Sequence, residues 1–198
     1  MKKKILLLGV CMAAMTFTIS SCKKKHDDST STPAPAPSLY ERVGGTAMVS
    51  DPTNKPQMIE QGRLTLRSVV DSSINVIAAD PQLQPYFKTL FAELQATPSN
   101  TTGLTALSKN LTDFMCYATG SANYHYTGLS MADAHNPTKN SRMAMQADSA
   151  DFDQFVHDIG IGLAKNGVTA ASSATNKQLI ADLVALLYTT EGAIVQKK

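Results

Sequence analysis

The sequence predicts an all-α domain behind an export leader, and three observations carry that reading. From Ser38 onward the apolar residues recur three to four positions apart, the spacing of a helix face. No stretch alternates apolar and polar side chains convincingly enough to predict a strand. The residues before Ser38 divide into an apolar leader and a polar, proline-rich segment with little to give a core.

The leader starts with Lys2, Lys3 and Lys4, and its apolar run, Ile5 to Ile19, is too short to span a bilayer comfortably. That is the layout of a secretory signal, predicted here over residues 1–21. It ends in "ISSC", which resembles the lipobox of bacterial lipoproteins: small residues, then a cysteine, Cys22, that is lipidated and becomes the new N-terminus. The plainer alternative is an ordinary signal peptide with a chance cysteine. Residues 22–37, "CKKKHDDSTSTPAPAP", are expected to form a disordered tether whose Pro-Ala end is extended and semi-rigid. His26 within it reads as a solvated linker residue.

The remaining stretch, 38–198, is roughly 160 residues, enough for one domain with a sizeable core. In the expected mature chain, from Cys22 on, removal of the three leader lysines leaves 15 basic residues against 16 acidic ones, and that near-neutral balance does not recommend nucleic acid as a partner. Of three cysteines, Cys11 falls in the leader and Cys22 at the lipidation site. Cys116 stands alone on an apolar helix face, so neither a disulfide framework nor a cysteine metal cluster is expected. It reads as a small core residue.

Four amphipathic stripes follow. Leu66, Val70, Ile74 and Ile77 predict a helix that stops at Asp80-Pro81, where a capping residue and a proline start a short element. Leu104, Leu107, Leu111, Phe114, Met115 and Ala118 predict a second helix, opening after "SNTT" and closing at Gly120. Phe152, Phe155, Val156, Ile159 and Leu163 predict a third, capped by Ser149 or Asp148 and ending at Gly167. Leu179, Ile180, Leu183, Leu186, Leu187 and Ile194 predict a fourth, long one. Two polar segments read as insertions, Ser50 to Gly62 and Asn136 to Ser149. Between them, "SMADAH" places Met131 and His135 on one face of a short helix, which Pro137 prevents from continuing.

Periodicity stops at a helical domain; particular residues go further. "LYERVGG", "VVDSSINVIAADPQLQPYF", "LTDFMCYATGS", "YTGLSMADAH", "ADFDQFVHDIGIGLAKNGV" and a terminal "IV" occur in the order and near the spacing of the truncated haemoglobins. The chain resembles group 1 of that family over nearly all of Ser38 to Val195, except the two insertions. The resemblance implies a 2-over-2 helical sandwich holding haem. It makes His135, the histidine of an "M-x-x-A-H" motif, the proximal iron ligand. A neutral imidazole suits that role, binding metal through one nitrogen while the other N–H is held by a carbonyl. Phe87 falls where the family packs an aromatic ring on the haem face, and Leu107, Leu111 and Phe114 where the distal helix lines the pocket. Ile74, Met131 and Tyr126 complete the expected surroundings. Gly44, Gly45 and Gly120 match glycines that end two helices. His125 and His157 read as solvent-facing or structural residues.

The departures are as informative. Where many group 1 members carry Phe-Tyr, and the tyrosine donates a hydrogen bond to the bound ligand, this chain has Ser73 and Ile74. Ser121 replaces a family glycine, and Leu129 stands where an arginine often pairs with a haem propionate. The insertion after His135 leaves three roles open: covering the haem, supplying a ligand through Met143 or Met145, or reshaping the pocket. The reading is of a lipid-anchored, exported haem protein of the bacterial envelope, binding oxygen or another diatomic gas or transferring electrons. The alternative is a globin-shaped domain without haem, acting as an envelope binding or structural module. No flavin or nicotinamide fingerprint accompanies it, and an aliphatic distal wall offers no acid–base group for peroxidase chemistry. Whether the protein is an enzyme is left open.

Overall fold

In the computed structural model, which describes residues Pro35 to Lys197, the chain enters its first helix, α1 (Leu39–Arg42), through a capping box. The Ser38 hydroxyl accepts from the Glu41 amide, and the Glu41 carboxylate accepts from the Ser38 amide. The two orphan donors of the first turn are thereby satisfied locally. The leader 1–21, Cys22, His26 and the tether up to Ala34 lie outside the described residues. The residues from Ala36 on form one unit.

A hairpin follows α1: β1 (Met48–Ser50) pairs antiparallel with β2 (Met58–Glu60), with Val49 opposite Ile59. The sequence predicts no strand, so this is a correction. The strands are three residues each, too short for a period of two to be read, and they sit in and just before the first expected insertion. Glu60 anchors the hairpin from a buried position, its carboxylate accepting from the Tyr40 hydroxyl at 2.7 Å and the Asn123 amide at 2.6 Å. Arg67 pairs in bidentate fashion with Asp51 at 2.7 and 3.0 Å, and the pair holds the Asp51 carboxyl well below the usual carboxylate range.

The helices α2 (Gln61–Ala79), α4 (Thr102–Ala118), α6 (Ser149–Lys165) and α7 (Ala174–Tyr188) correspond to the four predicted stripes. Asp148, not Ser149, caps α6, in a capping box with Asp151. Asp80 ends α2, and its carboxylate accepts from the Gln82 and Leu83 amides in the turn that follows. A 3₁₀ turn (Gln84–Phe87) leads into α3 (Lys88–Gln95), a helix the sequence reading leaves among the short connectors. The predicted long last helix is two: α7 stops at Tyr188, and α8 (Glu191–Ile194) is separate. The break falls at Thr189 and Thr190, whose hydroxyls bond back to the Leu186 and Leu187 carbonyls and tighten the last turn.

Helix α2 is the centre of the sandwich, packing most extensively on α6 and then on α4. Leu66, Val69, Val70 and Ile77 of α2 meet Phe152, Val156, Ile159 and Leu163 of α6, with Leu179, Leu183 and Leu187 of α7 behind. The α2–α6 seam runs antiparallel. Asn166 reaches the Ser68 carbonyl and the Ser72 hydroxyl, Gly162 abuts Ser73, and Gln154 donates to Asp80 at 2.8 Å. Ser73 is fully buried, its hydroxyl returned to the Val69 carbonyl at 2.8 Å. A Cβ on Gly162 would lie 2.0 Å from that hydroxyl and 3.1 Å from the Ser73 Cα. Gly162→Ala is therefore expected to push the helices apart and destabilise the fold by about 1–3 kcal/mol, read as a lower denaturant midpoint at unchanged slope.

The same seam buries an awkward carboxyl. Asp158 is 1% exposed; one of its oxygens accepts from Gln154 at 3.2 Å and the other has no partner. Burial first, and the neighbouring charge of Asp80 second, push its pKa above the ordinary aspartate value. The folded protein thus holds this proton more tightly than the unfolded chain. The linked stability is full below about pH 4 and is lost as pH rises through the raised value. Asp158→Asn is expected to raise stability at pH 7 by on the order of 1 kcal/mol and to flatten the stability–pH curve between pH 4 and 7, measured by thermal melts.

Candidate functional site

Helix α4 is built the wrong way round for an ordinary surface helix. Its buried residues are Gly103, Thr112, Asp113, Met115 and Cys116, whereas Leu104, Leu107, Leu111 and Phe114 are only half-buried. A leucine stripe is normally the face that disappears into the core. Asp113 can be buried because Arg63 of α2 pairs with it at 2.7 Å and Lys109 at 2.6 Å. Arg63 is itself held over the Tyr124 ring, 4.3 Å from its centroid. Cys116 is fully buried beside Arg63, and burial pushes its thiol up to about 11, so it is the inert core residue expected.

The other expected pocket residues share the half-covered state of the α4 leucines. Ile74, Phe87, Leu107, Leu111, Phe114, Tyr126 and Met131 are all half-buried, and five of them (all but Leu107 and Tyr126) pack against the edge of the core. Met143 and Phe155 are in the same position. Large apolar side chains left half-covered can wall a pocket where they meet, and Phe114 and Tyr126 are in ring contact. A cavity of about 190 Å³ exists elsewhere, lined by Leu66, Val69, Leu163, Leu179 and Leu183 with Arg42 at its side. None of the expected site residues borders it, and Arg42 is already paired with Asp182 at 2.5 Å.

The turn ahead of His135 is rigid for readable reasons. The Tyr126 ring stands edge-on to Phe114, centroids 5.8 Å apart at 83°, tying the turn to α4. Its hydroxyl donates to the Leu129 carbonyl at 2.7 Å. The ring thereby lies over Gly128, where any Cβ would come within 2.6 Å of the hydroxyl, so "YTG" needs its glycine. Ser130 then caps α5 (Met131–Ala134), accepting from the Asp133 amide at 3.1 Å.

His135 closes that helix. Its Nδ1 lies 2.9 Å from the Met131 carbonyl. A carbonyl can only accept, so Nδ1 carries the proton and Nε2 is left with its lone pair. Desolvation lowers the His135 pKa, against a smaller opposing effect of the Met131 bond, and so disfavours the charged ring. Among the described residues no group of three or more His, Cys, Asp or Glu side chains is placed to hold a metal ion. An iron at Nε2 would take its remaining ligands from a group such as porphyrin. An imidazole with an unshared lone pair on a half-buried ring has the chemistry to hold the iron of a haem.

Other expected roles separate. His125 and His157 are exposed, as is Met145, while Met143 packs on the core edge. Leu129, which the resemblance sets against a family arginine, is 47% exposed. Tyr86 is buried, with its hydroxyl committed to the Asp151 carboxylate. The sequence reading misses Asn140 and Gln196, whose side chains reach carbonyls of α5; neither lies in a motif that would have drawn attention.

No family model matches the chain, and no curated protein matches it. Among solved structures it is similar to the Fe(III) form of a truncated hemoglobin from Tetrahymena pyriformis, a tyrosine-to-phenylalanine mutant. The two are 20% identical, with a TM-score of 0.55, over 81% of this chain and all of that one. The fold is therefore that of the truncated globins, a two-over-two helical sandwich carrying insertions. At that identity the likeness concerns the fold; what the site holds is argued from its residues.

Proposed function

We propose that this protein binds one haem through Nε2 of His135 and presents the opposite haem face to a diatomic ligand. The observation that carries the reading is the His135 geometry: a half-buried ring, Nδ1 bound to the Met131 carbonyl, Nε2 unshared. Ile74, Phe87, Leu107, Leu111, Phe114, Met131 and Tyr126 would enclose the porphyrin. Haem so held supplies an iron that can bind oxygen or exchange an electron. The chain's part is to fix the imidazole, exclude water with apolar side chains and set the polarity of the ligand side. That side carries Ile74, Leu107 and Leu111 and so favours small, weakly polar molecules. Purified from haem-replete cells, the full chain is expected to show an intense Soret absorption. Colourless protein that takes up no added haem would leave a haem-free globin module as the reading.

The anchoring belongs to the same proposal. The "ISSC" leader supports lipidation at Cys22 and placement on the bacterial envelope. Among the described residues no helix is long and apolar enough to cross a membrane. A single acyl chain binds membranes only marginally, at about 10⁴ M⁻¹, and firm anchoring needs more than one. Cys22→Ser is expected to move the protein to the soluble fraction or leave an uncleaved precursor. Unchanged fractionation and mature mass would contradict the anchor.

A further inference from the structure

A four-residue helix cannot hold itself, because nucleation costs more than one turn of hydrogen bonds returns. Yet α5 carries the residue on which the proposed function depends. Its carbonyls are engaged from outside the helix. Asn140, in the segment after His135, donates its side-chain amide to the Ala134 carbonyl at 2.8 Å. Gln196, at the far end of the chain, donates its own to the Ala132 carbonyl at 2.7 Å. With His135 on the Met131 carbonyl, three carbonyls of this turn take side-chain donors.

The two amides come from elements stitched to each other. Val195 bridges to Ala147 in parallel, and the Gln196 and Lys197 amides both donate to the Ala147 carbonyl at 3.0 Å. Lys197 also pairs with Asp148 at 2.9 Å. The middle of the inserted segment is fixed to the opposite wall. The Ala144 amide donates to the Tyr86 carbonyl at 3.1 Å, beside Phe87, and Arg142 pairs with Glu93 of α3. Asn140 is held in turn, its side-chain oxygen accepting from the Arg142 amide at 3.1 Å. We propose that residues 136–148, within the expected insertion Asn136 to Ser149, and the C-terminal tail 195–197 form one clamp on α5, in which Asn140 and Gln196 are positioning residues that set the orientation of the His135 ring. The inference deepens the haem reading and rests on it for its purpose, but the clamp itself is a property of the chain without haem.

The test therefore begins on haem-free full chain. Amide hydrogen exchange over residues 131–136 and the ¹⁵N shifts of the His135 ring are compared in wild type, Asn140→Asp, Gln196→Glu and Gln196→Lys. Asn140→Asp and Gln196→Glu keep size and lose the donor, while Gln196→Lys keeps a donor on a chain of similar reach. The expected result is faster exchange in α5 and a mixed His135 tautomer in the two donor-less variants, with Gln196→Lys near wild type. Exchange elsewhere in the chain should not change. Unchanged exchange and tautomer in both donor-less variants would overturn the clamp, whatever haem does. So would failure of Gln196→Lys to restore what Gln196→Glu loses, because a merely structural role would not follow the donor. If Asn140→Asp does not fold, the Gln196 pair decides. On haem-loaded protein the donor-less variants should lose haem about tenfold faster, the low end for partners that orient a metal ligand. Absence of any haem uptake by wild type refutes the haem reading alone.

Discussion

His135→Ala is expected to release haem far faster than wild type, by more than the roughly 10–100-fold that follows loss of an orienting partner alone. The His135 Nδ1 is fixed to the Met131 carbonyl, so only Nε2 is available, and the other two histidines among the described residues, His125 and His157, are exposed. Transfer of haem from the purified variant to excess apomyoglobin is the measurement. Equal transfer rates would mean that the apolar walls alone retain haem or that another side chain, Met143 first, binds the iron. The variant should also lose a pH dependence. A half-buried histidine whose pKa is lowered by desolvation adds stability above the ordinary value near 6.5, and that stability falls away as pH drops through the lowered one. His135→Ala apoprotein should lack this part of its acid transition.

Oxygen is expected to leave this protein quickly. Bound oxygen gains partial negative charge, and a desolvated donor to such a group contributes roughly 1.5–3 kcal/mol. At about 1.4 kcal/mol per factor of ten, its absence should weaken oxygen binding ten- to a hundredfold. Carbon monoxide, which gains less charge, should lose less. Ile74 stands where the family resemblance puts a tyrosine, and Leu107, Leu111 and Phe87, expected beside it, carry no donor. Tyr86 is not a substitute, since its hydroxyl is bound to Asp151, and Asn110 is exposed. Ile74→Tyr is expected to slow oxygen dissociation by ten- to a hundredfold in stopped-flow mixing. Slow release from the unmodified protein would contradict the aliphatic distal side and turn attention to Thr112, whose buried hydroxyl has no partner.

The fold was legible where side-chain periodicity and capping chemistry act within one helix. The stripes of α2, α4 and α6 end where Asp80, Gly120 and Gly167 stop them, because those signals are local. The hairpin was hidden because three-residue strands have no period, and the division of α7 from α8 because two threonine back-bonds interrupt a stripe that continues past them. Of the candidate site, the short helix and its histidine could be read from "SMADAH" and the family resemblance. Which face of α4 is buried could not. That depends on Arg63, some fifty positions away, neutralising Asp113 so that the polar side turns inward and the leucines stay half-covered. The Asn140 and Gln196 contacts join distant parts of the chain through single amides and leave no trace in composition or spacing.

The central claim is that His135 and the apolar residues around it hold a single haem. Titrating the haem-free full chain with ferric haem, followed by absorbance at the Soret maximum, tests it most directly. The account predicts a sharp break at one equivalent in wild type and a shallow, non-saturating rise in His135→Ala. A shallow rise in both, or the same break in both, would contradict it.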